Sequence, residues 1–263
     1  MRQSRSSRLG KGSSFGPRLR PWPRRARRIV VWIAVVAAIA LAIAAVAPRL
    51  GVFGDKPFLI YPAHGRKLPV AAVLMSGDIG FRGGMSAHVG KALAERGMTV
   101  VGVSSPVVFG RRRTPAEAFT VLQQAIRMAM KVSGARQVIL VGQSYGADIM
   151  ATVVPHLAPD LLARVPAIDL MVPGRDVYFR ADPLGLEYLG AADAHPAAEL
   201  RTMRGPPIIC IYGVEETDSL CPLMAGSATI IGLPGNHHLH HDHVRLIAAA
   251  MGALHKLVPA IRP

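Results

Sequence analysis

The stretch that decides the fold is Val138-Ile139-Leu140-Val141-Gly142-Gln143-Ser144-Tyr145-Gly146. An aliphatic run typical of a buried β-strand leads directly into the pattern G-x-S-x-G, and a helical pattern follows it. At a junction of strand and helix, this pattern is typical of the tight turn that lifts a nucleophilic serine above a sheet, because the flanking glycines leave room for crossing backbones. We therefore predict that Ser144 is a nucleophile at the carboxyl edge of a parallel sheet.

Short aliphatic runs alternate with helical patterns on both sides of this stretch. The strand-like runs are 69–76, 99–104, 137–142, 167–172, 207–212 and 228–233, and the helical patterns lie at about 84–97, 115–133, 146–157 and 241–257. The runs do not alternate between apolar and polar residues, as expected for strands buried on both faces of a parallel sheet. Strands separated by helices indicate right-handed βαβ units, so the predicted fold is α/β, with a mostly parallel, doubly wound sheet.

A serine hydroxyl needs a base, and in this kind of sheet the chain order is serine, acid, histidine. The acid is expected in the loop after the run 207–212. Asp218 is preferred there, because Asp218-Ser219-Leu220-Cys221-Pro222 has the Asp-x-x-x-Pro form common after the acid in hydrolases. Glu216, three residues after Gly213, is the second candidate.

The histidine is expected after the last aliphatic run, in the loop Pro234-Gly235-Asn236-His237-His238. The spacing Pro-Gly-x-x-His favours His238 as the base, with His237 as the second candidate. In the predicted arrangement the histidine takes the proton from Ser144, and the acid orients the imidazole.

An oxyanion hole requires backbone N–H donors aimed at the developing negative charge. One donor is expected from Tyr145, directly after the serine. The other is expected from the loop after an early strand, where Asp78 and Ile79 are the alternatives.

The amino terminus differs from the rest of the chain in charge and hydropathy. Of the 263 residues, 31 are Lys or Arg and 16 are Asp or Glu, and residues 1–28 alone hold nine Arg, one Lys and no acid. Residues 29–47 contain no charge, Pro or Gly, and would span roughly 28 Å as a helix. We predict a cytoplasmic tail over 1–28, a transmembrane signal anchor over 29–47, a linker over 48–56 and an exported domain over 57–263. The alternative is a cleaved signal peptide.

The concentration of positive charge in a tail, rather than on the folded part, argues against a nucleic-acid partner. The two cysteines, Cys210 and Cys221, flank the acid loop, and in an exported domain they are expected to pair. Five histidines cluster near the carboxyl end without a complementary set of cysteines or carboxylates, so neither a metal nor a cofactor is expected. They are His237, His238, His240, His241 and His243.

Four ordered segments resemble the bacterial virulence protein VirJ/AcvB family. They are Ser76-Gly77-Asp78-x-Gly80, then Gly142-x-Ser144-x-Gly146-Ala147-Asp148, then Cys210-Ile211-Tyr212-Gly213 continuing to Asp218-Ser219-Leu220-Cys221-Pro222, and Leu233-Pro234-Gly235-x-His237-His238. Together they extend over about residues 68–252, most of the predicted exported domain. The amino-terminal segment is not covered by the resemblance.

The resemblance implies an exported domain with the α/β-hydrolase fold. With the predicted signal anchor, such a domain of a bacterial protein is expected in the periplasm, held at the inner membrane. AcvB-type members are associated with hydrolysis of aminoacylated phosphatidylglycerol, and VirJ-type members with protein export through a type IV secretion system. The first option implies a phospholipid substrate with a carboxylic ester and a cationic amine, which Asp78 or Asp148 would bind. The second implies a non-catalytic binding or secretion factor, with secretion-system proteins as partners.

Overall fold

A seven-stranded sheet organises the main unit of the protein, in a computed structural model that describes residues 23–46 and 54–261. The strands are β1 (Phe58–Tyr61), β2 (Val70–Met75), β3 (Val100–Val103), β4 (Gln137–Gln143), β5 (Ile168–Met171), β6 (Ile208–Gly213) and β7 (Thr229–Leu233). Their spatial order is β1-β3-β2-β4-β5-β6-β7. β1 pairs antiparallel with β3, and every other pairing is parallel.

Helices cover both faces of this sheet. They are α2 (Met85–Glu95), α3 (Ser105–Val108), α4 (Pro115–Ser133), α5 (Tyr145–Val153), α6 (Pro159–Leu162), α7 (Ala197–Thr202) and α8 (His243–Leu257). One apolar core lies between the sheet and α4 and α5, and the second lies between the sheet and α2 and α8. Because both faces are covered, the central strands are buried throughout, which confirms the doubly wound parallel sheet.

The bounds of α4 follow from its local sequence. The Thr114 side chain accepts a hydrogen bond from the Glu117 backbone N–H at 3.2 Å, and the Glu117 carboxylate accepts one from the Thr114 N–H at 2.9 Å. Pro115 occupies the first helical position, where its missing N–H costs no intrahelical bond. Gly134 then adopts a left-handed conformation with φ of 75° and ends the helix. The helix predicted over 115–133 therefore coincides with α4.

All six aliphatic runs become strands, β2 to β7, whereas β1 was not predicted. β1 has only four residues, follows Pro57 and lies half-exposed at the edge of the sheet, so no long apolar run marks it. The short helices α3, α6 and α7 were also not predicted. Each has four to six residues, too few for a helical period to be recognised.

Among residues 23–46 the structure has a single helix, α1 (Arg24–Val46), which begins with the arginine cluster and includes most of the apolar run 29–47. Within residues 23–46 and 54–261, the helices do not include one that is long and apolar enough to cross a membrane. The transmembrane helix predicted over 29–47 is therefore not found in this part of the chain. Most of the predicted tail 1–28, most of the linker 48–56 and the end of the apolar run at Ala47 lie outside the described residues.

Candidate active site

Ser144 occupies the turn between β4 and α5, at the carboxyl edge of the sheet. Its backbone has φ of 52° and ψ of −125°, a region that non-glycine residues rarely adopt. The Ser144 N–H donates to the Met171 carbonyl on the neighbouring strand at 2.8 Å, which fixes the turn to the sheet. Such a constrained serine at a strand–helix junction matches the geometry predicted from G-x-S-x-G.

The two glycines of the pattern are required by close backbone approach. A Cβ atom on Gly142 would lie 2.5 Å from the Cα of Ala147, and one on Gly146 would lie 2.2 Å from the carbonyl oxygen of Met75. Since real Cβ atoms do not approach other heavy atoms so closely, larger residues at either position would displace β2 or α5. The sequence pattern therefore has a packing cause that is independent of any activity.

A continuous chain of hydrogen bonds begins at the serine hydroxyl. Ser144 Oγ lies 2.7 Å from His237 Nε2, and His237 Nδ1 lies 2.6 Å from Glu216 Oε1. The carboxylate accepts from Nδ1–H, which leaves Nε2 free to accept from the serine hydroxyl. The side chain of Glu216 is 3% exposed and that of His237 is 37% exposed, so the acid is shielded from water while the imidazole edge remains accessible.

The structure corrects the preferred histidine. His238 is exposed, and its ring stacks with His241 at 5.7 Å between centroids, whereas His237 contacts Ser144. The reason is the loop conformation. Gly235 has φ of 102°, and the residues from Leu239 to His241 also have positive φ, so the chain turns sharply on both sides of His237. The Pro-Gly-x-x-His spacing is therefore one residue too long for this loop.

The structure also corrects the preferred acid. The Glu216 N–H donates to the Gly213 carbonyl at 2.9 Å and closes a tight turn that directs Glu216 back toward His237. Asp218, two residues later, is exposed, and its carbonyl accepts from the Arg175 N–H at 2.9 Å. By Asp218 the chain has left the sheet edge and runs beside the loop after β5, so its carboxylate is not the one bonded to the imidazole.

The environment of His237 favours its protonated form. Burial by itself lowers the pKa of His237. The hydrogen bond to Glu216 and the charge of that carboxylate outweigh burial, with further contributions from Asp148 and Asp218, and the pKa is raised above its usual 6.5. The surroundings therefore stabilise the imidazolium that would form if the histidine removed the serine proton.

The loop after β2 lies directly against the serine. A Cβ on Gly77 would be 3.4 Å from the Cβ of Ser144 and 2.9 Å from Gln143 Oε1. The Gly77 N–H donates to Ser86 Oγ at 3.2 Å, and the Ser86 hydroxyl donates to Gln143 Oε1 at 2.6 Å. These contacts hold the loop in place.

The oxyanion donors, Tyr145 with either Asp78 or Ile79, remain predictions. Asp78 and Ile79 follow Gly77 in the loop after β2. Tyr145 opens α5, where a first-turn backbone N–H has no intrahelical acceptor.

Two further acids adjoin the site. Asp148 Oδ1 accepts from the Gly174 N–H at 2.7 Å and so fixes the loop after β5. Asp78 Oδ2 accepts from the Tyr188 hydroxyl at 2.7 Å, while its buried Oδ1 has no hydrogen-bond partner among the described residues. Burial raises the pKa of Asp78 to about 6, although the hydrogen bond from Tyr188 and the nearby His237 oppose the rise. The site therefore holds two acidic side chains, Asp78 and Asp148, in addition to Glu216, which bonds to His237.

Tyr188 is a site residue that the sequence did not indicate. It belongs to the irregular segment between β5 and α7, where neither helical nor strand periodicity marks any side chain. Cys210 and Cys221 are joined by a disulfide with Cα atoms 5.4 Å apart, as expected from the sequence. Within residues 23–46 and 54–261, no cluster of three or more His, Cys, Asp or Glu side chains is arranged to hold a metal ion.

The family model of the bacterial virulence protein VirJ matches residues 69–258. The chain belongs to the VirJ family. The match covers every element that forms the site, from the loop after β2 to the histidine loop. No curated protein matches this VirJ-family chain.

Solved structures share the fold of this VirJ-family protein at low sequence identity. Est1E from Butyrivibrio proteoclasticus with bound ferulic acid has a TM-score of 0.57 and 10% identity, over 77% of this chain and 95% of the other. An alpha-beta serine hydrolase homologue from Coxiella burnetii has a TM-score of 0.56 and 17% identity, over 75% and 90%. An a/b serine hydrolase without a lid from Xanthomonas campestris has a TM-score of 0.56 and 16% identity, over 80% of this chain and 94% of the other. These similarities establish the α/β-hydrolase fold.

Proposed function

We propose that the protein is a serine hydrolase that cleaves a carboxylic ester, with Ser144 as nucleophile, His237 as general base and Glu216 as the acid that orients the imidazole. The observation that carries the proposal is the unbroken chain of hydrogen bonds from Ser144 Oγ through His237 to Glu216. The strained serine turn adds support, since a backbone of this kind persists only where its surroundings hold it. The shared fold is consistent with this activity and does not identify the substrate.

In the proposed reaction, Ser144 Oγ attacks the ester carbonyl carbon while its proton passes to His237 Nε2. Backbone N–H groups of Tyr145 and of Asp78 or Ile79 stabilise the oxyanion of the tetrahedral intermediate. His237 then donates the proton to the leaving alcohol as the ester bond breaks, which leaves an acyl group on Ser144. Water gives a proton to the same imidazole and attacks the acyl carbonyl carbon. The imidazolium then returns this proton to Ser144 Oγ as the acyl–oxygen bond breaks, which releases the carboxylic acid and free Ser144.

The proposed substrate is an aminoacyl ester of phosphatidylglycerol, such as the lysyl or alanyl ester. One feature supports a cationic acyl group. The buried Asp78 Oδ1 has no hydrogen-bond partner among the described residues. Asp148 also lies near His237, but burial raises the pKa of Asp148 well above its usual value and so favours its uncharged form. An ammonium group beside Asp78 would satisfy that oxygen and lower the pKa of the carboxyl. Asp78 is favoured over Asp148, because Asp148 already binds the Gly174 N–H.

The proposed location is the periplasmic face of a bacterial inner membrane, with residues 29–47 as an anchor. Support for this location comes from the charge-free composition of that run and from the arginines before it. A lipid substrate would then lie in the membrane that holds the enzyme. Separating membranes from soluble protein, with and without alkaline extraction, tests the anchor. Recovery of the whole chain in the soluble fraction would contradict it.

The test of function uses the full chain in membranes that contain lysyl- and alanyl-phosphatidylglycerol, with Ser144→Ala as the control. Release of free amino acid by the wild type alone is the expected result. Labelling of Ser144 by a fluorophosphonate without such release would indicate a serine hydrolase with another substrate. Neither release nor labelling, in folded protein, would favour a non-catalytic binding or secretion factor.

The proposed amine contact has its own variant, Asp78→Asn. We expect it to raise KM for the lysyl ester at least tenfold while changing KM for an uncharged acyl ester less than twofold. An equal effect on both esters would show that Asp78 does not recognise the amine.

A further inference from the structure

Asp148 lies about one helical turn after Ser144 in α5, and its carboxylate binds another loop of the same chain. Asp148 Oδ1 accepts a hydrogen bond from the Gly174 backbone N–H at 2.7 Å. Gly174 belongs to residues 172–175, the loop after β5, so this bond joins the serine helix to that loop. In the proposed reaction Asp148 neither transfers a proton nor stabilises the oxyanion.

The loop after β5 pairs with residues 214–220, called the acid loop here. Two backbone hydrogen bonds join the two loops. The Leu220 N–H donates to the Pro173 carbonyl at 2.8 Å, and the Arg175 N–H donates to the Asp218 carbonyl at 2.9 Å. The two loops therefore form a short antiparallel ladder, although neither belongs to the sheet.

Gly174 and Ser219 lie opposite each other at the centre of this ladder. Because the two hydrogen bonds lie on either side of the pair, this is a non-hydrogen-bonded pair, in which each N–H points away from the opposite chain. The Gly174 N–H therefore needs an acceptor outside the ladder, and Asp148 supplies it. This bond fixes the centre of the ladder to α5.

The backbone conformation of the loop after β5 depends on such fixed points. Val172 has φ of 49°, a left-handed conformation that is unfavourable for a β-branched residue. A conformation of this kind persists only where its surroundings hold it. The Val172 N–H donates to the Ile211 carbonyl at 2.6 Å, and two residues later the bond between Gly174 and Asp148 holds the same loop.

Glu216 lies between two attachments of the acid loop. Before it, the Glu215 N–H donates to the Gly235 carbonyl at 3.0 Å, which joins the acid loop to the histidine loop. After it, the ladder joins the acid loop to the loop after β5. The disulfide between Cys210 and Cys221 keeps the end of the acid loop at β6, but the ladder determines the path of the residues that directly follow Glu216.

We propose that Asp148 is a positioning residue, which holds the acid loop through Gly174 so that Glu216 stays bonded to His237. The inference rests on the proposed function in that Glu216 and His237 act in catalysis. Burial, together with the charges of Asp78 and Glu216, raises the pKa of Asp148, although the Gly174 N–H and His237 oppose the rise. An uncharged carboxyl still accepts from the Gly174 N–H, so the role depends on the position of the oxygen and not on its charge.

Three substitutions separate the position of this oxygen from its charge. Asp148→Asn keeps an acceptor at the same place without charge, Asp148→Glu keeps the charge on a longer side chain, and Asp148→Ala removes both. We expect Asp148→Ala and Asp148→Glu to lower kcat on a soluble p-nitrophenyl ester about tenfold, with KM changed less than about twofold. Asp148→Asn is expected to restore kcat to within about threefold of wild type.

Circular dichroism checks that each variant is folded. If Asp148→Ala does not fold, the ranking of Asp148→Asn above Asp148→Glu carries the test. Activity of Asp148→Asn as low as that of Asp148→Glu would mean that the charge matters, and would overturn the proposal. A loss confined to KM for the lysyl ester would make Asp148 an amine contact, which also overturns it.

A second readout does not depend on turnover. The hydrogen bond and charge of Glu216 raise the pKa of His237, so an acid loop that moves away lets this pKa fall toward 6.5. NMR titration of the full chain in detergent micelles, with isotope-labelled histidine, follows the imidazole directly, and His237→Ala identifies its signal. Asp148→Asn and Asp148→Ala both remove the charge of Asp148, so the difference between them isolates the bond to Gly174. We expect the lower pKa of His237 in Asp148→Ala, and equal values in both variants would contradict the proposal.

A double substitution tests whether Asp148 acts through Glu216. In a Glu216→Gln background, Asp148→Ala is expected to lower kcat by less than about twofold further, because the acid loop then holds no carboxylate against His237. A further loss of about tenfold would show that Asp148 acts by another route, and the proposal would fail. If the wild type cleaves no ester, the proposed function fails, and the titration of His237 alone decides whether Asp148 positions the acid loop.

Discussion

Gly213 packs against the backbone of Asn236 so closely that a Cβ on Gly213 would lie 2.2 Å from the Asn236 carbonyl oxygen. Gly213 ends β6 and begins the turn to Glu216, whereas Asn236 directly precedes His237. The Glu215 N–H also donates to the Gly235 carbonyl at 3.0 Å, so the acid loop and the histidine loop are joined by their backbones. This packing brings the carboxylate within 2.6 Å of the imidazole.

Replacing each of the two adjacent histidines in turn tests whether His237, rather than its exposed neighbour His238, is the general base. His237→Ala is expected to lower kcat/KM for an ester about 10³-fold, because Ser144 loses its proton acceptor. His238→Ala is expected to change it less than threefold, since His238 is exposed and bonds to neither Ser144 nor Glu216 in the described structure. Steady-state kinetics on a p-nitrophenyl ester measure both. The reverse ranking would restore His238 as the base.

The two candidate acids are compared by removing only their charge. Glu216→Gln is expected to lower kcat about 10²- to 10⁴-fold, because a neutral amide neither stabilises the imidazolium nor fixes the tautomer that leaves Nε2 free. Asp218→Asn is expected to retain activity within about threefold. Circular dichroism confirms that each variant is folded. Similar losses for both variants would contradict the assignment of a single acid.

The pH profile of the reaction reports the raised pKa of His237. The base must be neutral to accept a proton, so kcat/KM falls as the pH decreases through the pKa of His237 in the free enzyme. We expect the midpoint of this acidic limb to lie above 6.5. Asp218→Asn removes one of the charges that raise this pKa, so its midpoint should lie below that of the wild type. A midpoint that does not move, or moves upward, would show that Asp218 does not act on His237.

Gly146 tests the packing of the serine turn. Gly146→Ala would place its Cβ 2.2 Å from the Met75 carbonyl oxygen, so we expect strongly destabilised or insoluble protein. Gly252→Ala is the matched control, because beyond the backbone of α8 itself no atom lies within 4 Å of the Cβ position. Removing a glycine from a helix interior is expected to raise the free energy of unfolding by about 0.5–1 kcal/mol. Urea unfolding distinguishes the two, and a well-folded Gly146→Ala would contradict the close contact with β2.

Asp169 should make stability depend on pH. This side chain is fully buried on β5, both carboxylate oxygens lack hydrogen-bond partners among the described residues, and burial raises its pKa to about 7. Above the usual carboxyl pKa of 3.8 the unfolded state has lost a proton that the folded state still holds, so this residue lowers the free energy of unfolding as the pH rises toward 7.

Asp169→Asn removes that titration. We expect the stability of the variant relative to wild type to increase by on the order of 2 kcal/mol between pH 5 and pH 8, measured by urea unfolding at each pH. The test is how the stability difference between variant and wild type changes with pH. The buried Asn amide also needs hydrogen-bond partners, but this cost is the same at every pH. A difference that stays constant across this range would mean that Asp169 does not titrate there.

The sequence predicted the parts of the fold that repeat a physical pattern. Buried strands such as β4 and β6 are continuous aliphatic runs, and α4 carries both its capping residues and its terminating glycine. The position of the serine was also predictable, because only glycine fits two residues before it and two residues after it. The edge strand β1 and the irregular segment 182–190 have no such pattern, so neither β1 nor the contact of Tyr188 with Asp78 was predicted.

The choices between adjacent candidates failed for a different reason. Which of two neighbouring histidines faces the serine depends on backbone dihedral angles in the loop, and three successive residues from Leu239 to His241 take positive φ although none is glycine. The same holds for Glu216 and Asp218, where one tight turn decides the direction of the chain. Motif spacing carries no information about such turns, so it indicated the two loops but not which histidine and which acid bond to each other.

Ser144 and His237 are 93 positions apart, and the histidine follows the last strand of the sheet. A nascent chain that has emerged only as far as β6 would already contain the nucleophile, but not the group that activates it. Until β7 and the loop after it have been made, Ser144 would have no imidazole beside it. If Ser144 acts as proposed, turnover of an ester would therefore report that the sheet has been completed.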